Sequence, residues 1–179
     1  MATTTVQPTS FEAAAAELAQ ASAQGRAVSI LGAGSKRGWG SAGRVAEVQL
    51  RTTGLSEIVE HNAGDLTARL QAGVTLAAAQ AAFAQAGQML ALDPPAAPDG
   101  TEPTIGGIVA TGDSGPLRHR YGAPRELVLG ITAALADGTI AQAGGRVIKN
   151  VAGYDLGRLF AGSFGTRGLI LSVNVRLHP

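Results

Sequence analysis

The sequence contains no cysteine. No disulfide, thiolate metal site, iron–sulfur cluster or cysteine nucleophile can therefore come from this chain. Histidine is scarce: His61, His119 and His178 stand far apart with no ligand spacing, so no metal site is expected. Charge is thin as well. Only 15% of the 179 residues are Asp, Glu, Lys or Arg, and the net charge is +1. That balance supplies no general field to gather nucleic acid or an acidic membrane surface. The longest apolar runs are alanine-rich or broken by charge, so no integral membrane protein is expected. The opening "MATTTVQPTS" lacks the basic-then-apolar order of a secretory signal. The expected class is a soluble cytoplasmic protein.

Apolar residues and glycine are what the chain has in quantity. At 45% apolar, it can form one sizeable domain or two small lobes sharing a site. Its 25 glycines concentrate at 32–43, 100–122 and 144–168. Such density lets backbone approach backbone, or a ligand, closely.

Ser10 is expected to cap a helix reaching about residue 23, with Phe11, Ala14, Leu18 and Ala21 on its apolar face. "AVSIL" (27–31) reads as a buried strand and "VAEVQL" (45–50) as a second. "SEIVEH" and "LTARLQAG", joined by "NAGD", form a hairpin pattern. Thr75 caps an alanine-rich helix over about 76–86, and "QMLALD" reads as a short strand. In 104–122, Thr104 caps a single helical turn and the remainder is loop. "ELVLGITAALADGTIAQAG" is a hairpin around Asp137-Gly138. A helix over about 155–161, with Asp155 at its start, has Leu156, Leu159 and Phe160 as its apolar side. "GLILSVNVRLH" is a closing strand. The order implies an α+β fold in two lobes, not a regular βαβ repeat.

Two glycine-rich segments carry the chemistry. "SILGAGSKRGWG" (29–40) follows a strand, as phosphate-binding turns often do. A dinucleotide fingerprint, however, needs a helix directly after its glycines and an acidic residue about 20 positions on. Here turn and strand follow, and no G-K-[ST] of a P-loop occurs. A glycine turn can still cradle an anion with successive backbone amides, aided by the Ser35 hydroxyl. The alternative is a plain tight connection between strands. "PTIGGIVATGDSGP" (103–116) offers a second set of small residues and exposed amides. Together the two could clamp a pyrophosphate.

These segments, with "LQAGVTL" (70–76), "RYG" (120–122), "LADGTI" (135–140) and "VIKNVAGYDLGRLFAGSFGTRGLI" (147–170), resemble a known family in order and spacing. It is the flavin-binding domain of the vanillyl-alcohol oxidase / p-cresol methylhydroxylase family, and most similar within it are the FAD-binding subunits of glycolate oxidases. The resemblance implies a small α/β lobe over about residues 1–75. A second lobe over about 76–179 is built on antiparallel strands, with FAD between the two. It places Ala33, Gly34, Ser35 and Lys36 around the pyrophosphate. Thr104, Ile105, Gly106, Gly107, Ala110 and Thr111 serve the second side, with Ser114, Gly115 and, at the loop's end, Gly122. Ile170 would present its backbone to the adenine edge, and Lys149, Asn150 and Tyr154 would lie nearer the flavin ring. Substituting Gly106 by valine is expected to obstruct the ligand.

Covalent members often attach flavin through a histidine in the first loop. This loop has none, so non-covalent FAD is implied. Arg167 stands where an apolar residue is common. The C-terminal cap domain of family enzymes is expected to be absent, so the chain alone would lack a complete substrate site. The implied function is oxidation of a 2-hydroxy acid with flavin as hydride acceptor, alongside other flavin and iron–sulfur subunits. The rival reading is a non-catalytic assembly module that keeps the fold. No catalytic residue is nominated: Arg118, His119 and Arg120 read as a solvated basic triplet, His61 as structural or solvent-exposed at a hairpin turn, and Trp39 as either site-lining or packed.

Overall fold

The computed structural model describes residues 3–39, 45–145 and 156–179. Lys149, Asn150, Tyr154 and Asp155 lie outside these residues. The chain begins with a parallel sheet. β1 (Thr4–Val6), α1 (Phe11–Ala23), β2 (Val28–Leu31) and β3 (Val48–Arg51) follow in turn, and the strands order as β1-β3-β2. β1 has no signature in the sequence. Three residues of "TTV" form a strand only because β3 offers them an edge. α1 starts where Ser10 Oγ accepts from the Ala13 amide at 3.1 Å, and it buries Ala14, Ala15, Leu18 and Ala21. β2 is half-buried rather than buried, because Ser29, Ile30 and Leu31 border an open cleft.

An antiparallel sheet makes up the rest. It is built from β4 (Ile58–Asn62), β5 (Thr67–Gln71), β6 (Val128–Ala134), β7 (Ile140–Gly144) and β8 (Leu169–Arg176), in the order β4-β5-β8-β6-β7. Between β5 and β6 come α2 (Leu76–Ala84), α3 (Ile105–Thr111), α4 (Arg118–Tyr121) and α5 (Pro124–Leu127), while α6 (Leu156–Phe160) precedes β8. Both expected hairpins are present. At the second, the Thr139 amide donates to Asp137 at 2.9 Å, which holds that carboxyl below its ordinary range. The fold is therefore mixed, with one parallel and one antiparallel sheet. By sheet membership the change of lobe falls between Arg51 and Ile58, ahead of residue 75, because β5 pairs with the closing strand β8.

Three local expectations are corrected. "QMLALD" is no strand: Met89 exchanges a single pair of backbone bonds with His178 (2.7 and 2.9 Å). The Gln80 side chain satisfies both the amide and the carbonyl of Leu90. α3 runs seven residues, not one turn, until Gly112 at φ +68° ends it, and α4 follows where loop is expected. Leu159 is exposed, and Phe160 carries the buried face of α6.

Two apolar clusters hold the sheets. Leu50 and Leu55 meet α1 and then Ala134, Leu169 and Leu171, so α1 packs against both sheets at once. Each fully buried leucine contributes about 1.5–3 kcal/mol. The larger cluster joins Leu70, Val173 and Val175 to Phe83 of α2 and to Ile105, Ile108 and Val109 of α3. The β6–β8 register slips by one residue opposite Thr132–Ala133. Ile170 thus joins the face of Val173, while Leu169 and Leu171 turn toward α1.

Candidate functional site

A cleft of about 220 Å³ opens where the two sheets meet. Its walls are the end of β2 with the loop that follows, the first turns of α3, and the start of β8 with residues 164 and 165 before it. Ligands of open α/β sheets commonly bind beyond the carboxyl ends of strands, and the Gly32–Trp39 loop lies there.

The first loop leaves four successive amides without an acceptor among the described residues. None of the backbone N–H groups of Ala33, Gly34, Ser35 and Lys36 donates to another described residue. The fold's own turn bonds begin only at Arg37, which donates to Gly34 O at 3.0 Å. Gly34 takes φ +93°, with open space where a Cβ would stand. Alternating backbone hand around such a residue turns successive amides inward as an anion nest. Lys36 reaches across the cleft. Its ammonium lies 3.0 Å from Asp113 Oδ2 and donates to Pro95 O at 2.6 Å, with the Trp39 ring centroid 5.0 Å away. The carboxylate contact is an ion pair without hydrogen-bond angles.

The second segment is different. At the start of α3, Ile105 N–H donates to Val74 O (2.8 Å) and Gly106 N–H to Ala72 O (2.8 Å). Gly107 N–H is capped by Thr104 Oγ1 at 3.3 Å. Ile108 N–H returns to Thr104 O (2.9 Å). The expected outward-pointing amides are thus all taken, because the helix start is stitched to the end of β5. Further on, the Asp93 carboxylate brackets the loop, accepting from Gly115 N–H (3.0 Å) and Leu117 N–H (2.9 Å).

Of the residues singled out in the sequence, Ala33, Gly34, Ser35 and Lys36 line the cleft on one side. Thr104, Gly106, Gly107, Ala110 and Thr111 line the other, with Ile170 at the start of β8. Four do not line it. Ile105 is fully buried in the core, and Gly115 backs onto Asp93. Gly122, at φ +92°, ends α4 beside Glu126, and Ser114 lies between the cleft and the Asp93 bracket. Arg118, His119 and Arg120 are exposed on α4, away from the cleft. His61 is structural: it sits in β4, bonded to Gln88 (2.9 Å) and edge-on to Phe83.

Sequence reasoning missed Asp113 and Phe164 as cleft residues and left Trp39 undecided; all three line the site. Nothing in the sequence marks Asp113 as the partner of Lys36. Among the described residues no group of three or more His, Asp or Glu could hold a metal ion, and no helix is long and apolar enough to cross a membrane.

Comparison with known proteins agrees with this architecture. Residues 2–144 match the family described as FAD binding domain. The chain is 40% identical over 122 residues to glycolate oxidase subunit GlcE of Escherichia coli, covering 68% of this chain and 34% of that protein. It is 34% identical over 174 residues to a D-lactate dehydrogenase of Archaeoglobus fulgidus, covering 97% of this chain and 38% of the relative. It thus spans between about a third and two fifths of those relatives' lengths. Among solved structures, an alkyldihydroxyacetonephosphate synthase superposes with TM-score 0.77 at 20% identity, over 97% of this chain and 33% of that one. That likeness concerns the fold.

Proposed function

The chain belongs to the FAD binding domain family, with FAD as its cofactor, and from that premise we propose that it is the flavin-carrying part of a 2-hydroxy-acid oxidoreductase. The observation that carries the reading is the run of amides from Ala33 to Lys36 on the cleft wall, without acceptors among the described residues. Such a run fits a pyrophosphate, because backbone amides are rarely left without partners. The cleft volume also fits a segment of the cofactor. At about 220 Å³ it is below the ~300–1,000 Å³ of pockets that enclose a drug-sized molecule. It suits the pyrophosphate and its neighbours, with the two ends of FAD extending beyond.

In this reading the amides of residues 33–36 and the Ser35 hydroxyl hold the pyrophosphate. Gly107, Ala110 and Thr111 close the opposite wall with small side chains, and Ile170 serves the adenine edge. Bound FAD supplies the redox chemistry, accepting a hydride equivalent from the substrate's α-carbon. The chain's own residues bind and orient it and screen its phosphates from water. Attachment is non-covalent in this reading, since the first loop has no histidine to carry the flavin. Glycolate and D-lactate, named in two relatives, are both 2-hydroxy acids, which supports that substrate class. No described residue is assigned to the substrate carboxylate or to the hydroxyl proton, and in this reading the chain works alongside partner flavin and iron–sulfur subunits in a cytoplasmic assembly.

Purified protein mixed with FAD is expected to keep a yellow, stoichiometric flavin through gel filtration and to release all of it on denaturation. A folded protein that emerges colourless overturns the cofactor assignment, and flavin retained after denaturation overturns the non-covalent one. In the assembled oxidase, anaerobic bleaching of the flavin by glycolate or D-lactate tests the substrate class. Bleaching by light alone would favour the non-catalytic module.

A further inference from the structure

Asp113 is an odd residue to find in a cleft that receives a pyrophosphate. Its residue is only 4% exposed, it lines the cleft, and Oδ2 has no hydrogen-bond partner among the described residues. A buried carboxylate without a counter-charge is costly in itself and repels any anion brought near it. Among the described residues the charge matched to it is the Lys36 ammonium, 3.0 Å away, whose side chain is itself only 9% exposed. Lys36 also donates to Pro95 O at 2.6 Å, so one ammonium joins the first loop, the segment after α3 and the chain before it.

From this geometry we infer that Lys36 is a positioning and charge-cancelling residue, not the phosphate's cationic ligand. It neutralises Asp113 and pins the loop whose amides do the binding. This inference rests on the FAD reading above. The charge accounting is direct. With the pair intact Lys36 and Asp113 cancel, the exposed Arg37 leaves the lining with one net positive charge, and the amides of residues 33–36 make the close contacts. Without Lys36 the cleft holds an unmatched carboxylate where a doubly charged ligand must sit. Without Asp113 the ammonium is left to attract the ligand.

The test is a double-mutant cycle read by FAD binding, through flavin fluorescence quenching, and by melting of the cofactor-free protein. Lys36→Met is expected to weaken FAD binding by about tenfold or more, as removal of one partner of a buried charge pair does. Asp113→Asn is expected to bind FAD as tightly as wild type or tighter, with a steeper fall in affinity as salt rises. The double variant is expected to return to within about threefold of wild type, since replacing both partners removes the unmatched charge. Equal weakness of the Lys36→Met and double variants would make Lys36 a direct ligand and overturn the inference. So would a folded Asp113→Asn protein that loses about tenfold in affinity, an outcome readable even where Lys36→Met does not fold. The cofactor-free melting temperatures should follow the same cycle: lowered by Lys36→Met and recovered when Asp113→Asn is added. Absence of recovery overturns the inference without reference to FAD. Failure of wild type to take up FAD counts against the proposed function alone.

Discussion

In the Ala33–Lys36 stretch the backbone amides are left without partners among the described residues, whereas at the start of α3 every one from Ile105 to Ile108 is taken. Both segments are rich in glycine and both border the cleft. Their glycines serve different ends. Gly34 permits φ +93° next to empty space, which shapes a cradle. Gly106 permits the helix to lie against Ala72: a Cβ there would stand 2.6 Å from Ala72 Cβ and 2.9 Å from its carbonyl oxygen. One loop leaves its amides open to the cleft and the other is anchored to the fold, so that its wall faces the first.

This contrast can be broken in graded steps. Gly106→Val should have the largest effect, about 3 kcal/mol of lost stability as α3 is forced off β5, read as a lowered melting temperature without FAD. The substitution would act by overpacking against Ala72, not by obstructing the ligand as the sequence alone implies; unchanged stability with lost FAD uptake would reverse that assignment. Asp93→Ala should come next, at about 2 kcal/mol, by stranding the Gly115 and Leu117 amides, with faster hydrogen exchange at residues 115–117. Gly34→Ala should do the opposite of Gly106→Val. FAD affinity should fall roughly tenfold, while the strain of a side chain at φ +93° costs the cofactor-free protein only about 1–2 kcal/mol, read as a small drop in melting temperature. Thr104→Ala, which removes the α3 cap, should cost about 1 kcal/mol, read by thermal melting.

Much of this organisation is legible along the chain. The Ser10 and Thr75 caps, the Asp137-Gly138 hairpin and the pairing of "SEIVEH" with "LTARLQAG" follow from local spacing, and each stands in the structure. Ten of the residues marked as candidate binders line one cleft. The misreadings share a cause. β1 is a strand because β3 lends it an edge, and "QMLALD" is not one because the Gln80 side chain occupies Leu90. The second loop resembled an anion cradle because composition reveals where amides are accessible to close approach, but not whether other backbone has already claimed them.

By itself the sequence determined most of the longer elements, the family and the two glycine-rich segments, since caps, turns and hydrophobic period act within a few residues. Only the tertiary structure decided which segment keeps amides to offer. It did so by bringing the carbonyls of Ala72 and Val74 to α3 and by leaving Ala33–Lys36 facing the cleft. It also set Asp113 against Lys36. These contacts join residues distant in sequence, and hydrogen bonds and ion pairs of that kind depend on separations in space that no local pattern records.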